Sequence, residues 1–446
     1  MMKAVEIGIR AGAACRDISP GKPVALYGYP HVARISTGIH DPLLAAVLVL
    51  QGGGQTLVMA SLDLLMIEPP VARELRRAVA GALAISEAGV LISCTHTHSG
   101  PVTSRLVAWS GDATIPAPDA AYLEFVKQQT VAAAVAAMET ATPAELQWTR
   151  ADATGVGGNR LSRDGLTDPE CGILAVRDAQ TRALRAVSLI YGMHPTVLHE
   201  DSTLVSSDFP HYTRQHLREC LGEGVTVLYH TAPAGNQSPR YYVRGQTFAE
   251  AERLGRKLGA AAVEAVHGLA ADQWNGNPCL NASLREVELP RRALSPLADA
   301  QRLLDKYRRT YERLKAAGAP HPEVRTAECA VFGAEGMVGL AEAETRGELD
   351  RLLSRYAPIE VQCLRIGDAN VVGLPGECFV EYALAIKRRA GTRTFVVSLV
   401  NGELQGYIVT PEALAAGGYE ATNAVFAPEA GTVLVNAAIE LVGRGR

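Results

Sequence analysis

The chain has 446 residues, of which 48% are hydrophobic and 20% charged, and its formal net charge at pH 7 is −4. This composition is typical of an ordinary globular protein and excludes a disordered chain. Because no Lys/Arg-rich run could follow a phosphate backbone, nucleic acid is not an expected partner. The apolar runs are short and interrupted by Gly, Pro or charged residues, so no membrane span is expected.

The N-terminal segment and the cysteines bear on the cellular compartment. The segment lacks the basic start, apolar stretch and small-residue cleavage site of a signal peptide. Eight cysteines are scattered along the chain without a Cys-x-x-Cys pair, which predicts reduced thiols rather than a disulfide frame. We therefore expect a cytoplasmic protein.

Short β-type runs alternate with Ala/Leu/Arg-rich stretches of helical period along the chain. An early example is a helical stretch over 70–84 followed by a strand over 89–93. Alternation of this kind predicts an α/β fold with a mixed, largely parallel sheet flanked by helices. Two clear helices are predicted over 248–268 and 296–316, and the second has a highly charged face suited to an interface or a lid.

The expected domain organisation is a single catalytic domain over residues 1–446. Residues 274–345 are charged and helical, unlike the sequence on either side. We interpret them as an insertion or helical subdomain within that domain.

Five strand-like runs end in loops of unusual chemistry. In chain order the runs cover 90–92, 187–191, 225–229, 370–374 and 395–400, and their loops contain His96 with His98, His194, Ser238, Glu377 and Tyr407. In open α/β sheets, ligands bind at the carboxyl ends of strands, so these side chains are expected to converge.

Convergence would create a metal site. Zinc binds imidazole nitrogen and carboxylate oxygen, and a catalytic site leaves one position open. His96, His194 and Glu377 meet this requirement, although iron or manganese uses similar ligands. A bound cation polarises a carbonyl and brings the pKa of its water near 7.

Each residue also has a simpler interpretation. His96 and His98 would then be structural histidines bonded to backbone, and His194 likewise. Glu377 would be the first-turn acid of a helix, and Tyr407 a half-buried strand aromatic.

Ser238 lies in a Gly-x-x-Ser-Pro turn, where an exposed hydroxyl can act as a nucleophile or as a donor to an oxyanion. The alternative is a solvated turn serine. No Gly-x-Ser-x-Gly elbow is present, which disfavours an ordinary Ser-His-Asp esterase.

Taken together, the loops resemble the neutral/alkaline non-lysosomal ceramidase family, in particular its N-terminal amidase domain. The most specific motif is Thr-His-Thr-His-Ser-Gly-Pro at 95–101. The others, in chain order, are Asp-Ile-Ser-Pro at 17–20, Gly-Ile-His-Asp-Pro at 38–42, Ser-Leu-Asp at 61–63, Asn-Arg at 159–160, His-Pro at 194–195, Ser-Asp-Phe-Pro at 207–210, Pro-Gly-Glu at 375–377, Gly-Tyr-Ile-Val-Thr at 406–410 and Gly-Tyr-Glu at 418–420.

The resemblance implies a ceramidase-like catalytic domain with one zinc ion per chain, and it assigns roles to individual residues. The implied ligands are His96, His194, Glu377 and Tyr407. The implied nucleophile is Ser238, with a metal-activated water as the competing attacker.

Four further roles follow from the resemblance. His98 would exchange a proton or orient the substrate. Arg160 would clamp a substrate carboxylate or hydroxyl, or else form a surface ion pair. Asp63 and Asp208 would orient the ligating imidazoles.

The chain differs from the secreted ceramidases in three respects. The family serine motif Gly-Asp-Val-Ser-Pro-Asn reads Gly-Asn-Gln-Ser-Pro-Arg over 235–240, the sequence stops soon after Tyr419, and only 5% of residues are aromatic. We therefore expect a homologue of bacterial type without the C-terminal immunoglobulin-like domain.

The predicted function is zinc-dependent hydrolysis of a linear N-acyl amide in a small polar substrate. Alternatives are an ester or lactone hydrolase with the same metal site, and a catalytically silent homologue that binds a small ligand. The sequence leaves homo-oligomerisation open.

Overall fold

A computed structural model describes residues 8–444, without the side chains of residues 321 and 322. The strands are β1 (Arg10–Asp17), β2 (Gly38–Ile39), β3 (Leu44–Gly52), β4 (Gln55–Leu62), β5 (Val90–Cys94), β6 (Thr142–Asp152), β7 (Gly158–Asn159), β8 (Glu170–Asp178), β9 (Leu184–Tyr191), β10 (Leu204–Val205), β11 (Thr226–Thr231), β12 (Gln237–Ser238), β13 (Leu280–Val287), β14 (Ile359–Ile366), β15 (Ala369–Gly373), β16 (Glu377–Cys378), β17 (Arg393–Val397) and β18 (Tyr407–Ile408). The helices are α1 (Pro69–Leu83), α2 (Ala120–Glu139), α3 (Phe209–Leu221), α4 (Phe248–His267), α5 (Leu297–Ala316), α6 (His321–Thr345), α7 (Leu349–Ser354), α8 (Val380–Ala390), α9 (Pro411–Ala416), α10 (Tyr419–Thr422) and α11 (Glu429–Arg444), with 3-10 turns at Glu87–Gly89 and Val107–Trp109.

An eight-stranded sheet forms the body of the fold, in the order β11-β9-β8-β6-β1-β3-β4-β5. Its two edge ladders, β11 with β9 and β4 with β5, are parallel, and the ladders between them are antiparallel. The predicted α/β class with a mixed sheet is confirmed. Parallel pairing is confined to the edges because short connections join β3 to β4 and β8 to β9, and such connections produce antiparallel pairs.

The large sheet curls until its two edges approach each other. Ser93 on β5 lies 2.7 Å, Oγ to Nδ1, from His230 on β11. The Thr231 hydroxyl donates to the Thr95 carbonyl at 2.7 Å. The loops that follow β5, β9 and β11 therefore open at one place although β5 and β11 are at opposite ends of the strand order.

A second sheet, in the order β13-β14-β15-β17, packs on the first. The shared core contains Leu48, Trp148, Leu174, Val371 and Phe395, which come from both sheets. Its parallel pair is β15 with β17. All five predicted loops thus follow strands that belong to parallel ladders.

The end of β17 joins the two sheets at the curled edges. The backbone N–H of Ser398 donates to the Thr231 carbonyl at 2.7 Å, and that of Asn401 donates to the Ile92 carbonyl at 2.8 Å. The loops of the second sheet, which contain Glu377 and Tyr407, are consequently placed beside those of the first.

Residues 274–345 contain both a strand and a helical hairpin. Strand β13 pairs with β14, whereas α5 and α6 pack on each other through small apolar clusters that include Leu304 and Val331. The predicted helices over 248–268 and 296–316 are confirmed as α4 and α5. Whether the hairpin is a separate subdomain stays a prediction.

All eight cysteines lie within the described residues and are free. Among residues 8–444, no helix is long and apolar enough to cross a bilayer.

Candidate metal centre

Three imidazoles meet where the strand-end loops open. Ring nitrogens of His96, His98 and His194 all lie within 4.8 Å of one another. Each ring donates its Nδ1 proton to a backbone carbonyl, His96 to Leu65 (2.9 Å), His98 to Gly28 (3.0 Å) and His194 to Gln237 (3.0 Å). Because the Nδ1 proton is engaged in each case, a neutral ring leaves the Nε2 lone pair free to bind a ligand.

The backbone of the β5 loop is shaped for this arrangement. His96 has φ of 70°, a left-handed conformation that few residues with a side chain adopt. Its own N–H donates to the Leu64 carbonyl at 2.9 Å. Gly28 has φ of 106°, and a Cβ there would lie 2.4 Å from Nδ1 of His98, so only glycine allows this approach.

Glu377 brings a carboxylate to the same point. Its Oε2 lies 3.1 Å from Nε2 of His194 and 3.1 Å from Nε2 of His96. The first contact has hydrogen-bond geometry and the second does not, and neither Nε2 has a proton to donate while its ring is neutral and protonated at Nδ1. Glu377 is in strand β16 and precedes α8, so it is not a residue of the helical first turn.

The electrostatics favour neutral rings at His98 and His194 beside an ionised Glu377. Burial lowers the pKa of His194 to about 4 and lowers that of His98 well below its usual value. Burial alone would raise the pKa of Glu377, but the imidazoles of His96 and His194 hold it well below its usual value. Neutral imidazole and ionised carboxylate are the protonation states that bind a metal.

This donor set fits a divalent cation. Zinc bonds to nitrogen and oxygen of roughly 2.0–2.1 Å give a tetrahedral ligand separation of about 3.3 Å, close to both 3.1 Å contacts of Glu377. Nε2 of His96 and Nε2 of His98 are both buried without a hydrogen-bond partner. Nitrogen and oxygen donors of this kind suit zinc, iron and manganese alike.

Tyr407 and Arg160 lie beside the histidines. Tyr407 pairs in register with Glu377 through strands β18 and β16, and Cζ of Arg160 is 5.4 Å from the Tyr407 ring centroid. Nε of Arg160 donates to Glu420 at 2.6 Å, while its Nη2 is buried without a partner. Arg160 is thus not part of a surface ion pair, and one of its N–H groups is available to another molecule.

Ser238 is connected to the site through its neighbour. Gln237, which accepts from His194, precedes Ser238 on the short strand β12. Ser238 is 6% exposed, and its hydroxyl oxygen accepts from the Arg240 N–H at 3.2 Å. It is therefore not a solvated turn serine, although the histidine cavity is lined by other residues.

The expectation that Asp63 and Asp208 orient the ligating imidazoles is wrong. Asp63 binds the Arg214 guanidinium through both oxygens, at 2.9 and 2.6 Å. Asp208 caps α3 by accepting from the Phe209 N–H. Backbone carbonyls accept the Nδ1 protons of the imidazoles instead.

The cavity is narrow, with a volume of about 30 Å³, which is room for little more than ordered water. Its walls include Met66, Trp109, Gln405, Tyr419 and Asn423 in addition to the predicted residues. Sequence reasoning missed these five as wall residues, although the Gly-Tyr-Glu motif at 418–420 singled out the segment of Tyr419.

The comparisons with known proteins concern both sequence and fold. Residues 10–224 match the family described as neutral/alkaline non-lysosomal ceramidase, N-terminal. Two solved structures are similar: a neutral ceramidase from Pseudomonas aeruginosa and a ceramidase complexed with C2. Each is 19% identical with a TM-score of 0.75, and the matches cover 98% of this chain and 74% and 75% of the respective other chains. No curated protein matches the chain.

Proposed function

We propose that this chain, which belongs over residues 10–224 to the neutral/alkaline non-lysosomal ceramidase family, is a metal-dependent hydrolase of linear N-acyl amides. One observation carries the proposal: the histidines of two separate loops keep their Nδ1 protons on backbone carbonyls and face the same carboxylate oxygen of Glu377. A largely buried acid that faces two imidazole nitrogens, one of them without a hydrogen-bond partner, has little structural use, and it is well suited to bind a cation.

In the proposed site, His96, His194, Glu377 and Tyr407 hold one zinc ion. When bound, the ion polarises the scissile carbonyl and acidifies a water molecule. Histidines locked by backbone hydrogen bonds keep their donor nitrogens in place, which favours a preorganised site over a mobile one.

The remaining polar groups act on the substrate. His98 has a partner-free Nε2 next to the cluster and orients the substrate or exchanges a proton with it. The unpaired Nη2 of Arg160 donates to a substrate oxygen. The attacking group is Ser238 or a water molecule, and a proton leaves with the amine in either case.

The narrow cavity limits which part of a substrate reaches the histidines. A volume of about 30 Å³ is far below the 300–1,000 Å³ of most ligand pockets, so it admits no more than the reacting group, and the two chains of a lipid have no room beside it. We therefore assign the chain a smaller and more polar N-acyl compound.

The test combines metal analysis with matched amide and ester substrates. Wild-type protein is expected to contain one zinc per chain and to cleave the amides. His96→Ala should lose the metal, and its rate of hydrolysis should fall by more than about 100-fold, since changing groups that merely orient the ligands already lowers metal affinity or activity by 10–100-fold. His267→Ala, at the end of α4, is the control and should retain both.

Three outcomes would overturn the assignment. Faster cleavage of esters than of amides would favour the ester or lactone hydrolase. Tightly bound zinc without any hydrolysis would favour a silent binding homologue. Full activity of His96→Ala would mean that hydrolysis does not depend on the proposed metal site.

A further inference from the structure

A second, open groove lies between the Ser238 loop and the helical hairpin. Its volume is about 500 Å³, within the range of small-molecule sites. The walls are mainly neutral side chains of α5 and α6, such as Tyr307, Leu314, Thr326 and Ala330. The loop contributes Arg240.

Arg240 connects this groove to Ser238. It lies two residues after Ser238, and its backbone N–H donates to the Ser238 hydroxyl oxygen. Its exposed guanidinium donates to Thr326 Oγ1 of α6 at 2.7 Å, and Cζ lies 5.6 Å from the Tyr241 ring centroid. The side chain is thus positioned at the groove wall by a hydroxyl and a ring.

The charge of Arg240 is not neutralised by the protein. No carboxylate within residues 8–444 forms an ion pair with it, and this includes Glu323, which lines the groove. Arg163 is similar: it has no ion pair within the same residues, and its Cζ is 5.0 Å from the same Tyr241 ring.

Other arginines around the site contrast with this pair. Arg160 is paired with Glu420, and Arg325 on α6 is paired with Glu200. Neither Arg163 nor Arg240 has an acidic partner within residues 8–444, and the exposed guanidinium of Arg240 at the groove wall is a suitable donor to an oxyanion.

We infer that Arg240 binds an oxyanion carried by the substrate. This inference rests on the proposed function and narrows its substrate to anionic N-acyl compounds. Arg240 then acts as a specificity-determining residue.

The geometry also relates the position of Arg240 to the cavity wall. Arg240 contacts Thr326, seven residues before Gly333 on α6, and a Cβ on Gly333 would meet Thr422, which adjoins Asn423 of the cavity wall. Seven residues of helix span about 10 Å at 1.5 Å per residue. The part of α6 that contacts Arg240 thus lies about 10 Å along the helix from the part that backs the cavity wall, so the test varies the distance between the amide and the anion.

The test uses N-acyl ω-amino acids with one to five methylene groups, each beside its neutral carboxamide. Wild type should prefer the longer carboxylates over their carboxamides through KM. Arg240→Gln should raise KM for these carboxylates about tenfold, the effect of losing one charge-assisted contact, and leave the carboxamides unchanged. Arg240→Lys should keep part of the preference, and Arg388→Gln on α8 is the distant control.

Two further substrate arms identify the anion and its position. N-acyl aminoalkyl phosphates test a phosphate in place of the carboxylate. Amides of dicarboxylic acids place the carboxylate on the acyl side. The inference would be overturned if the ratio of KM for the anionic substrate to KM for its neutral partner were the same in wild type and Arg240→Gln for every substrate series. That result would leave amide hydrolysis intact.

A binding measurement separates this inference from the proposed function. Ketone analogues, in which CH₂ replaces the amide nitrogen, are not hydrolysed, and calorimetry gives their affinities for wild type and Arg240→Gln. If Arg240→Gln lowered the affinity for the anionic analogue but not for the neutral one, the anion site would be supported even if no amide were cleaved. Equal affinities would contradict it.

Discussion

The ends of the sheets and the helical hairpin border the same site but are built in different ways. His96 and His194 are buried and the Glu377 side chain is 11% exposed, and these residues follow strands whose edges are joined by hydrogen bonds. The hairpin of α5 and α6 joins the rest of the protein through buried apolar residues in the C-terminal half of α6, such as Leu340 and Ala343, and through polar contacts nearer the surface, such as Arg325 with Glu200 and His31 with Glu335. The comparison separates a rigid part, the buried ends of the sheets that position the chemistry, from a hairpin whose outer half is held by partly exposed ion pairs.

The largest expected effect concerns the rigid part. Arg214 of α3 binds Asp63 at the end of β4 through both oxygens, and Ser207 accepts a third hydrogen bond from it at 2.7 Å. Arg214→Met leaves a buried carboxylate unpaired and should lower the free energy of unfolding by about 3–5 kcal/mol, measured by denaturant titration.

The matched control lies on the hairpin. Arg308 and Glu335 form an ion pair whose arginine side chain is 54% exposed, so Arg308→Gln should cost less than about 1 kcal/mol. Equal losses in the two variants would contradict the distinction between the two regions.

The sequence predicted which side chains meet in the rigid part better than it predicted the packing that brings them together. His96, His194 and Glu377 were expected to meet because each follows a strand, and the structure places them together. The curling that joins β5 to β11 depends on contacts such as Ser93 with His230. Such contacts between distant segments leave no periodic signal in the sequence.

The cavity wall was less predictable for a related reason. Trp109 and Gln405 reach the cavity from loops whose course depends on the α6 packing and on hydrogen bonds such as that from the Val107 N–H to Gln405 Oε1. Asp63 carried a recognisable motif, yet its partner Arg214 is 151 positions away, and no local pattern distinguishes an orienting acid from a structural one.

A smaller effect is expected where α6 packs on the cavity wall. A Cβ on Gly333 would lie 2.1 Å from Oγ1 of Thr422, next to Asn423 of the wall. Gly333→Ala should destabilise the protein by about 1 kcal/mol. Overpacking destabilises by roughly 1–3 kcal/mol, and the higher helix propensity of alanine offsets up to about 1 kcal/mol of this loss. Thermal unfolding and KM should both change.

Gly81 on α1 is the matched control, because a Cβ there meets nothing within 4 Å. Gly81→Ala should stabilise the protein slightly, by up to about 1 kcal/mol, with no change in KM. If Gly333→Ala behaved in the same way, α6 would not be packed against the wall as described.

The smallest expected effect is a pH dependence of the hairpin contact. Nε2 of His31 lies 2.8 Å from Glu335 on α6, and Nδ1 lies 3.5 Å from Asp112. Burial opposes protonation, but Glu335 and Asp112 raise the pKa of His31 above 6.5, with Arg308 acting against them. A raised folded pKa means that the contact is fully stabilising below pH 6.5 and is lost as the pH rises through the folded value.

Hydrogen exchange of the α6 amides measures this loss. Protection factors in wild type should fall between pH 6 and pH 8 by an amount worth less than about 1 kcal/mol, as expected for a partly exposed ion pair. In His31→Gln the same amides should start at the lower protection and show no such fall. A pH dependence of equal size in both proteins would mean that another group controls the hairpin, whereas no dependence in wild type would mean that α6 is held by its apolar contacts alone.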